Sequence, residues 1–116
     1  MVVTHAVDSG VLTIRLHEDL DVSSRGSALR EIEELLRGYR PRQVVVEMAG
    51  LPVGPVSLSI VLRVERWCRE LGASLDLVAS APEARRQLLS HSRLPVWGTV
   101  SEAMRGGAGH PGEMAA

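Results

Sequence analysis

The feature that most constrains the fold is an uninterrupted apolar run, Val44-Val45-Val46, set between two stretches of helical periodicity. A strand that alternates apolar and polar residues buries one face, whereas one that is apolar at every position buries both. Such a strand needs cover on two sides. On its N-terminal side Ala28, Leu29, Ile32, Leu35, Leu36 and Tyr39 recur at helical spacing, with Arg30, Glu33, Glu34 and Arg37 on the opposite face. On its C-terminal side Leu58, Val61, Val64, Cys68 and Leu71 form a second stripe, and Arg63, Glu65, Arg66, Arg69 and Glu70 lie largely off it. Asp21, Ser23 and Ser24 are good start residues for the first helix, and Gly38 with Pro41 is predicted to end it. Pro55 suits the first turn of the second helix and Gly72 its stop. A strand over Gln43 to Met48, bracketed in this way, is the unit of a parallel sheet with right-handed crossovers.

The remaining segments extend the pattern. Val2 to Val7 is β-prone, Asp8-Ser9-Gly10 is a turn, and Val11 to Leu16 alternates Leu12, Ile14 and Leu16 with Thr13, Arg15 and His17. These two segments read as a hairpin. Ala73 to Ala79 reads as a strand, Ser80 and Pro82 open a third helix over Glu83 to Ser90, Val96-Trp97 is a brief strand, and Ser101 to Met104 a short last helix. The order β-β-α-β-α-β-α-β-α predicts one α/β domain over residues 1–104. Its sheet is mixed and mainly parallel, of about five strands with about four helices, antiparallel only at the hairpin edge. Residues 105–116 are rich in Gly and are expected to form a disordered tail. No internal repeat is present.

Composition removes several classes of function. The formal net charge is −1, which builds no field for nucleic acid or an acidic membrane. All 13 basic residues are Arg, so lysine chemistry is excluded. The single Cys68 forms no internal disulfide, and it falls on the apolar stripe, where an inert core thiol is expected. The start of the chain has no basic stretch leading into an apolar one, and no apolar run reaches membrane-spanning length, so a cytoplasmic location without membrane insertion is expected. His5, His17, His91 and His110 lack ligand spacing, no Gly-x-Ser-x-Gly elbow occurs, and Gly106-Gly107-Ala108-Gly109 neither follows a strand nor opens a helix. Neither metal, cofactor nor catalytic residue is therefore predicted. Trp67 flanks the second stripe, either closing the core edge or anchoring a partner. Arg85-Arg86 reads as a solvated face.

Four stretches together resemble the STAS domain family, the fold of bacterial anti-sigma factor antagonists, over about residues 2–104. Leu12-Thr13-Ile14-Arg15-Leu16 with Leu20-Asp21 resembles the family's second strand and its approach to the first helix. Val44 to Met48 with Leu51 resembles the central strand, and Gly72 to Val78 the approach to the fourth. Ala81-Pro82-Glu83-Ala84-Arg85 through Leu88-Leu89 and Leu94 resembles the third-helix segment. The resemblance implies a non-enzymatic regulator that binds an anti-sigma factor or a related kinase-fold protein. Self-association into a homodimer is left open.

In phosphorylatable members a loop bearing Asp-Ser-(Ser/Thr)-Gly leads into the second helix, and the second hydroxyl residue accepts the phosphate. Laid on this chain from Leu51, the motif meets Pro55-Val56-Ser57-Leu58. Ser57 stands at the phosphoacceptor position, Pro55 in place of the acid and Leu58 in place of the Gly. Phosphate at a helix N-terminus meets unpaired N–H groups and the positive end of the dipole, and its roughly −1.5 to −2 charges can expel a docked partner. A Ser there equally serves as a cap or a solvated surface residue. Ser59 is a second hydroxyl without motif support. Asp21 either caps the first helix or bonds its own turn, or joins Val53, Gly54, Pro55, Val56 and Leu58 in a docking face.

Two other readings remain. One is a fixed, non-phosphorylated subunit of a larger assembly, such as a stressosome-like scaffold or a lipid-transport complex. The other is a small α/β domain that binds a nucleotide or other small molecule at the strand carboxyl ends.

Overall fold

The computed structural model describes residues 3–17, 20–49 and 53–107. Five strands and four helices alternate along the chain: β1 (Val3–Asp8), β2 (Val11–Leu16), α1 (Arg25–Tyr39), β3 (Gln43–Met48), α2 (Pro55–Leu71), β4 (Ser74–Ala79), α3 (Pro82–His91), β5 (Val96–Trp97) and α4 (Val100–Gly107). The sheet order is β1-β2-β3-β4-β5. β1 pairs antiparallel with β2, Val3 opposite Leu16, and every other neighbour is parallel, with Leu12 beside Val44, Val44 beside Leu75 and Leu77 beside Val96. The hairpin turns through Ser9 and Gly10 with φ of 53° and 82°. Positive φ at both positions of a two-residue loop matches the right-handed twist of the paired strands.

The pleat separates two cores, because successive side chains point to opposite faces. Leu12, Ile14, Leu16, Val44, Val46, Met48, Leu75, Leu77 and Ala79 share one cluster with residues of α1, α2 and α3, among them Ile32, Leu36, Ile60, Val64 and Leu88. Val11, Val45 and Val78 point the other way and pack with Ala103 of α4, joined by Trp97, Val100 and Met104. The continuous apolar run at residues 44–46 is thereby explained: β3 has helices over one face and α4 over the other.

Several local expectations are corrected. Gly38 does not stop α1. The helix runs through it to Tyr39, and Arg40 takes the left-handed position with φ 47° while its N–H still reaches Leu36 O. Pro41, which lacks an N–H and cannot continue the ladder, ends the helix there. Tyr39 lies off the buried stripe, 52% exposed, its ring 6.0 Å from that of His5. Trp67 belongs to the core at 8% exposure, so it presents no anchor to a partner. Arg85 is not a solvated residue: it is half-buried, and its Nη1 donates to Ala79 O and Ser80 O at 2.8 Å. α4 extends to Gly107, so the expected boundary at 104 falls inside a helix, and the rest of the expected tail, 108–116, lies outside the described residues.

Candidate functional site

The candidate residues gather at one edge because of topology. α1 follows the carboxyl end of β2 and α2 follows the carboxyl end of β3, and these two strands are parallel neighbours. Both helix starts therefore emerge at the same end of the sheet, where loops of α/β proteins carry their binding residues. A direct link ties them: Arg25 Nε, in the first turn of α1, donates to Ser59 Oγ in α2 at 2.7 Å. Ser59 Oγ in turn donates to Val56 O at 2.9 Å. Leu20 before α1, and Val53, Val56 and Leu58 around the start of α2, all pack partly buried on the main core. Gly50, Leu51 and Pro52 lie outside the described residues.

On the α1 side, Asp21 organises its own turn and does not cap the helix, whose first flanking residue is Ser24. Asp21 Oδ1 accepts from Ser23 Oγ at 2.8 Å and from the Ser24 N–H at 3.0 Å, and the Asp21 N–H donates to Ser24 Oγ at 2.9 Å. Hydrogen bonds from Ser23, then from Ser24, favour the charged form and hold the carboxyl below its ordinary value of 3.8. Asp21 remains exposed, as does Val22 at 79%. The Asp21 carboxylate is thus held by its own turn beside an exposed valine.

On the α2 side, Gly54 occupies the position before the helix in extended conformation and Pro55 the first turn. Pro55 suits that turn because its missing N–H would have had no intrahelical partner. Pro55 is exposed, and Val53, Gly54, Val56 and Leu58 are half-buried. Ser57 is buried, at 6% exposure. It is neither the cap nor a solvated residue; it sits within the first turn, on the face that α2 turns toward the sheet together with Ile60, Val61, Val64 and Cys68. The spacing alone could have indicated this, since Ser57 lies three and four residues before Ile60 and Val61 and seven before Val64.

A separate cavity of about 630 Å³ lies at the carboxyl ends of β4 and β5, lined by Ser80, Arg85, Trp97, Gly98, Thr99 and Glu102. The N–H groups of Gly98 and Thr99, which a phosphate would need, already donate to Glu102 Oε1 at 3.1 Å each, and the Glu102 N–H donates to Thr99 Oγ1 at 3.1 Å. This reciprocal capping box satisfies the α4 terminus internally. Nη1 of Arg85 likewise donates to two backbone carbonyls. Cys68 is an enclosed thiol, pushed up to about 12 mainly by burial and secondarily by Glu65. Among the described residues no three His, Cys, Asp or Glu side chains gather as a metal set, and no helix is long and apolar enough to cross a membrane.

The residues that sequence reasoning passed over are Gln43 and Asp76, both 1% exposed beneath α4. Asp76 Oδ1 accepts from Trp97 Nε1 at 3.0 Å and its Oδ2 from Gln43 Nε2 at 3.1 Å. Gln43 Nε2 also reaches Ala103 O at 3.1 Å. The network joins β3, β4, β5 and α4 and is a structural clamp. Its signal was a polar residue within each of two strands otherwise destined for burial.

No protein-family model matches the sequence, and no curated protein matches it. Solved structures do match in three dimensions. The RsbS protein of Moorella thermoacetica, in a serine-to-glutamate variant, superposes with a TM-score of 0.76 at 16% identity, covering 89% of this chain and 92% of that one. An anti-sigma factor antagonist from Mycobacterium paratuberculosis superposes with a TM-score of 0.70 at 17% identity, covering 89% and 90%. The five-stranded mixed sheet with four helices is therefore a STAS-like fold, as the sequence motifs implied.

Proposed function

We propose that this chain is a non-catalytic regulator of the anti-sigma factor antagonist type, and that a kinase-fold protein docks on the edge formed by Asp21, Val53, Gly54, Pro55, Val56 and Leu58. The observation that carries the reading is the convergence of the two helix starts, tied by the Arg25–Ser59 hydrogen bond, on a fold shared with proteins of that description. A rigid carboxylate, exposed Val22 and Pro55, and half-buried apolar side chains supply the mixed polar and apolar character of protein interfaces.

The burial of Ser57 favours docking without a phosphate switch there. A serine hydroxyl on the core face of α2 must leave its packing before a kinase can reach it, and the motif's acid and Gly are replaced by Pro55 and Leu58. This observation also supports the second reading, a fixed subunit of a larger assembly. Cross-linking in native cell extract followed by mass spectrometry tests the docking edge. A kinase-fold partner is expected to be captured by the wild type and lost in Asp21→Arg and Pro55→Glu, both exposed positions. Retention of the partner by both variants overturns the assignment of the edge. Incubation of that partner and ATP with the chain, read by intact mass, is expected to leave Ser57 unmodified; a phosphate that vanishes in Ser57→Ala restores the switch.

A further inference from the structure

The outer face of α2 is basic in a chain whose charges nearly cancel as a whole. Arg63, Arg66 and Arg69 project from it, and Arg25 approaches from the first turn of α1. Together with Ser59, Leu62 and Glu65 they line a groove of about 410 Å³. Helical spacing explains the arrangement: Leu62, Arg63 and Arg66 lie three, four and seven residues after Ser59, so they share one flank of the helix.

Two of the guanidinium groups are held in place by partners that carry no charge. Arg25 is oriented by its bond to Ser59 Oγ at 2.7 Å, and Arg63 lies over the Trp67 ring, 5.8 Å from its centroid. Among the described residues, Arg25, Arg63 and Arg66 have no carboxylate within ion-pair distance. Only Arg69 has one, Glu65 at 3.6 Å, and that Arg69 side chain is 73% exposed. Among the described residues Glu65 is the single carboxylate lining the groove, and Glu70 is exposed farther along the helix. Between the arginines Leu62 stands 52% exposed. Four cations around an exposed leucine form a surface with two complementary demands: negative charge on its rim and apolar cover at its centre.

We propose that this groove receives an acidic segment of the protein partner, carboxylates lying on Arg25, Arg63 and Arg66 and an apolar side chain covering Leu62. The proposal rests on the docking reading above and adds the chemistry of what docks. The groove continues the docking edge: Ser59 directly follows Leu58, and Arg25 directly follows the turn that Asp21 organises. A free phosphate would satisfy the arginines and leave Leu62 in water, whereas a polypeptide meets both demands. Arginine is the suited cation here because its planar fork bonds carboxylates in pairs and loses little hydration on contact.

The probe is a short fluorescein-labelled peptide in which glutamate pairs alternate with leucine, titrated with the intact chain at low ionic strength and read by fluorescence polarisation. Saturable binding is expected, weakening as salt screens the charges. The double variant Arg63→Glu/Arg66→Glu is expected to bind roughly tenfold or more weakly, Leu62→Ala roughly threefold more weakly, and Arg86→Glu on α3 as the wild type does. All substituted side chains are exposed, and a circular-dichroism melt confirms that each variant is folded. Absence of saturable binding by the wild type, or equal binding by the double variant, overturns the proposal. So does inorganic phosphate displacing the peptide at equal concentration, or phosphatidylserine vesicles binding to the chain in preference to the peptide. The cross-linked partner separates this inference from the docking reading. A partner retained by Arg63→Glu/Arg66→Glu but lost in Asp21→Arg and Pro55→Glu sinks the groove and leaves the edge. A partner retained by every variant sinks both.

Discussion

Replacing Asp76 by Ala should loosen the last third of the chain more than any exposed substitution. The carboxylate is 1% exposed and accepts two hydrogen bonds, from Trp97 Nε1 at 3.0 Å and Gln43 Nε2 at 3.1 Å. A hydrogen bond to a charged group contributes about 1.5–3 kcal/mol, and removal of the acceptor leaves buried donors without partners. Loss of two such bonds is offset in part because a buried charge disappears with them. A net loss of about 2–4 kcal/mol is expected, against a total of the order of 10 kcal/mol for a domain of this size. Urea denaturation followed by circular dichroism gives the loss directly. A double-mutant cycle with Trp97→Phe, which deletes the indole N–H and keeps most of the ring, isolates one bond. Asp76→Ala should cost about 1.5–3 kcal/mol less in the Trp97→Phe background than alone. Additivity within about 0.5 kcal/mol would show that the Asp76–Trp97 bond contributes nothing and would refute the clamp.

Four further outcomes are expected. Gly38→Ala in the last turn of α1, where an added Cβ meets no atom within 4 Å, should stabilise by at most about 0.5–1 kcal/mol, whereas Gly106→Ala, whose Cβ would collide with the Trp97 ring, should destabilise; thermal melts of the pair must differ in sign. The Cys68 thiol, pushed up to about 12 from 9.0, stays protonated in the folded chain while the unfolded one ionises. Stability should therefore be unaffected below about pH 9 and fall above it by about 1.4 kcal/mol per pH unit, a slope that Cys68→Ala removes in pH-dependent urea titrations. Ser23→Ala should bring the Asp21 carboxyl back toward its ordinary value in an NMR titration; the stability tied to its ionisation is present above pH 3.8 and lost as pH falls through the lowered folded value. Ser57→Asp should lower stability by about 1–3 kcal/mol through burial of a charge on the core face, and a neutral effect in a thermal melt would place Ser57 at the surface.

Most of the architecture was legible because it is written in local periodicity. A short β-branched run such as Val44-Val45-Val46, flanked by helix stops and starts, reads as a strand covered on two faces, and Ile32 with Leu36 or Val61 with Val64 defines a helix stripe within a few residues. The Ser9-Gly10 turn and the Pro55 and Pro82 helix starts are equally local, since each depends on the dihedral freedom of one or two residues. The helix ends were less legible. Arg40 occupies a left-handed position that Gly38 was expected to mark, because Pro41 blocks further winding whatever precedes it.

What the sequence by itself determined is thus the set of elements, their order and the faces they bury, all consequences of short-range sterics and hydrophobic spacing. What only the tertiary structure decided is which distant side chains meet. Arg25 and Ser59 are 34 positions apart and Gln43 and Asp76 are 33 apart, yet each pair is in hydrogen-bond contact. No period in the chain encodes those meetings; they arise when parallel β2, β3 and β4 bring their neighbouring elements alongside. The same packing turned Ser57 inward and left Ser59 beside the arginines. Ser59, two residues along α2 from the position that the motif marked, stays half-buried with its hydroxyl bonded to Arg25 and Val56 O.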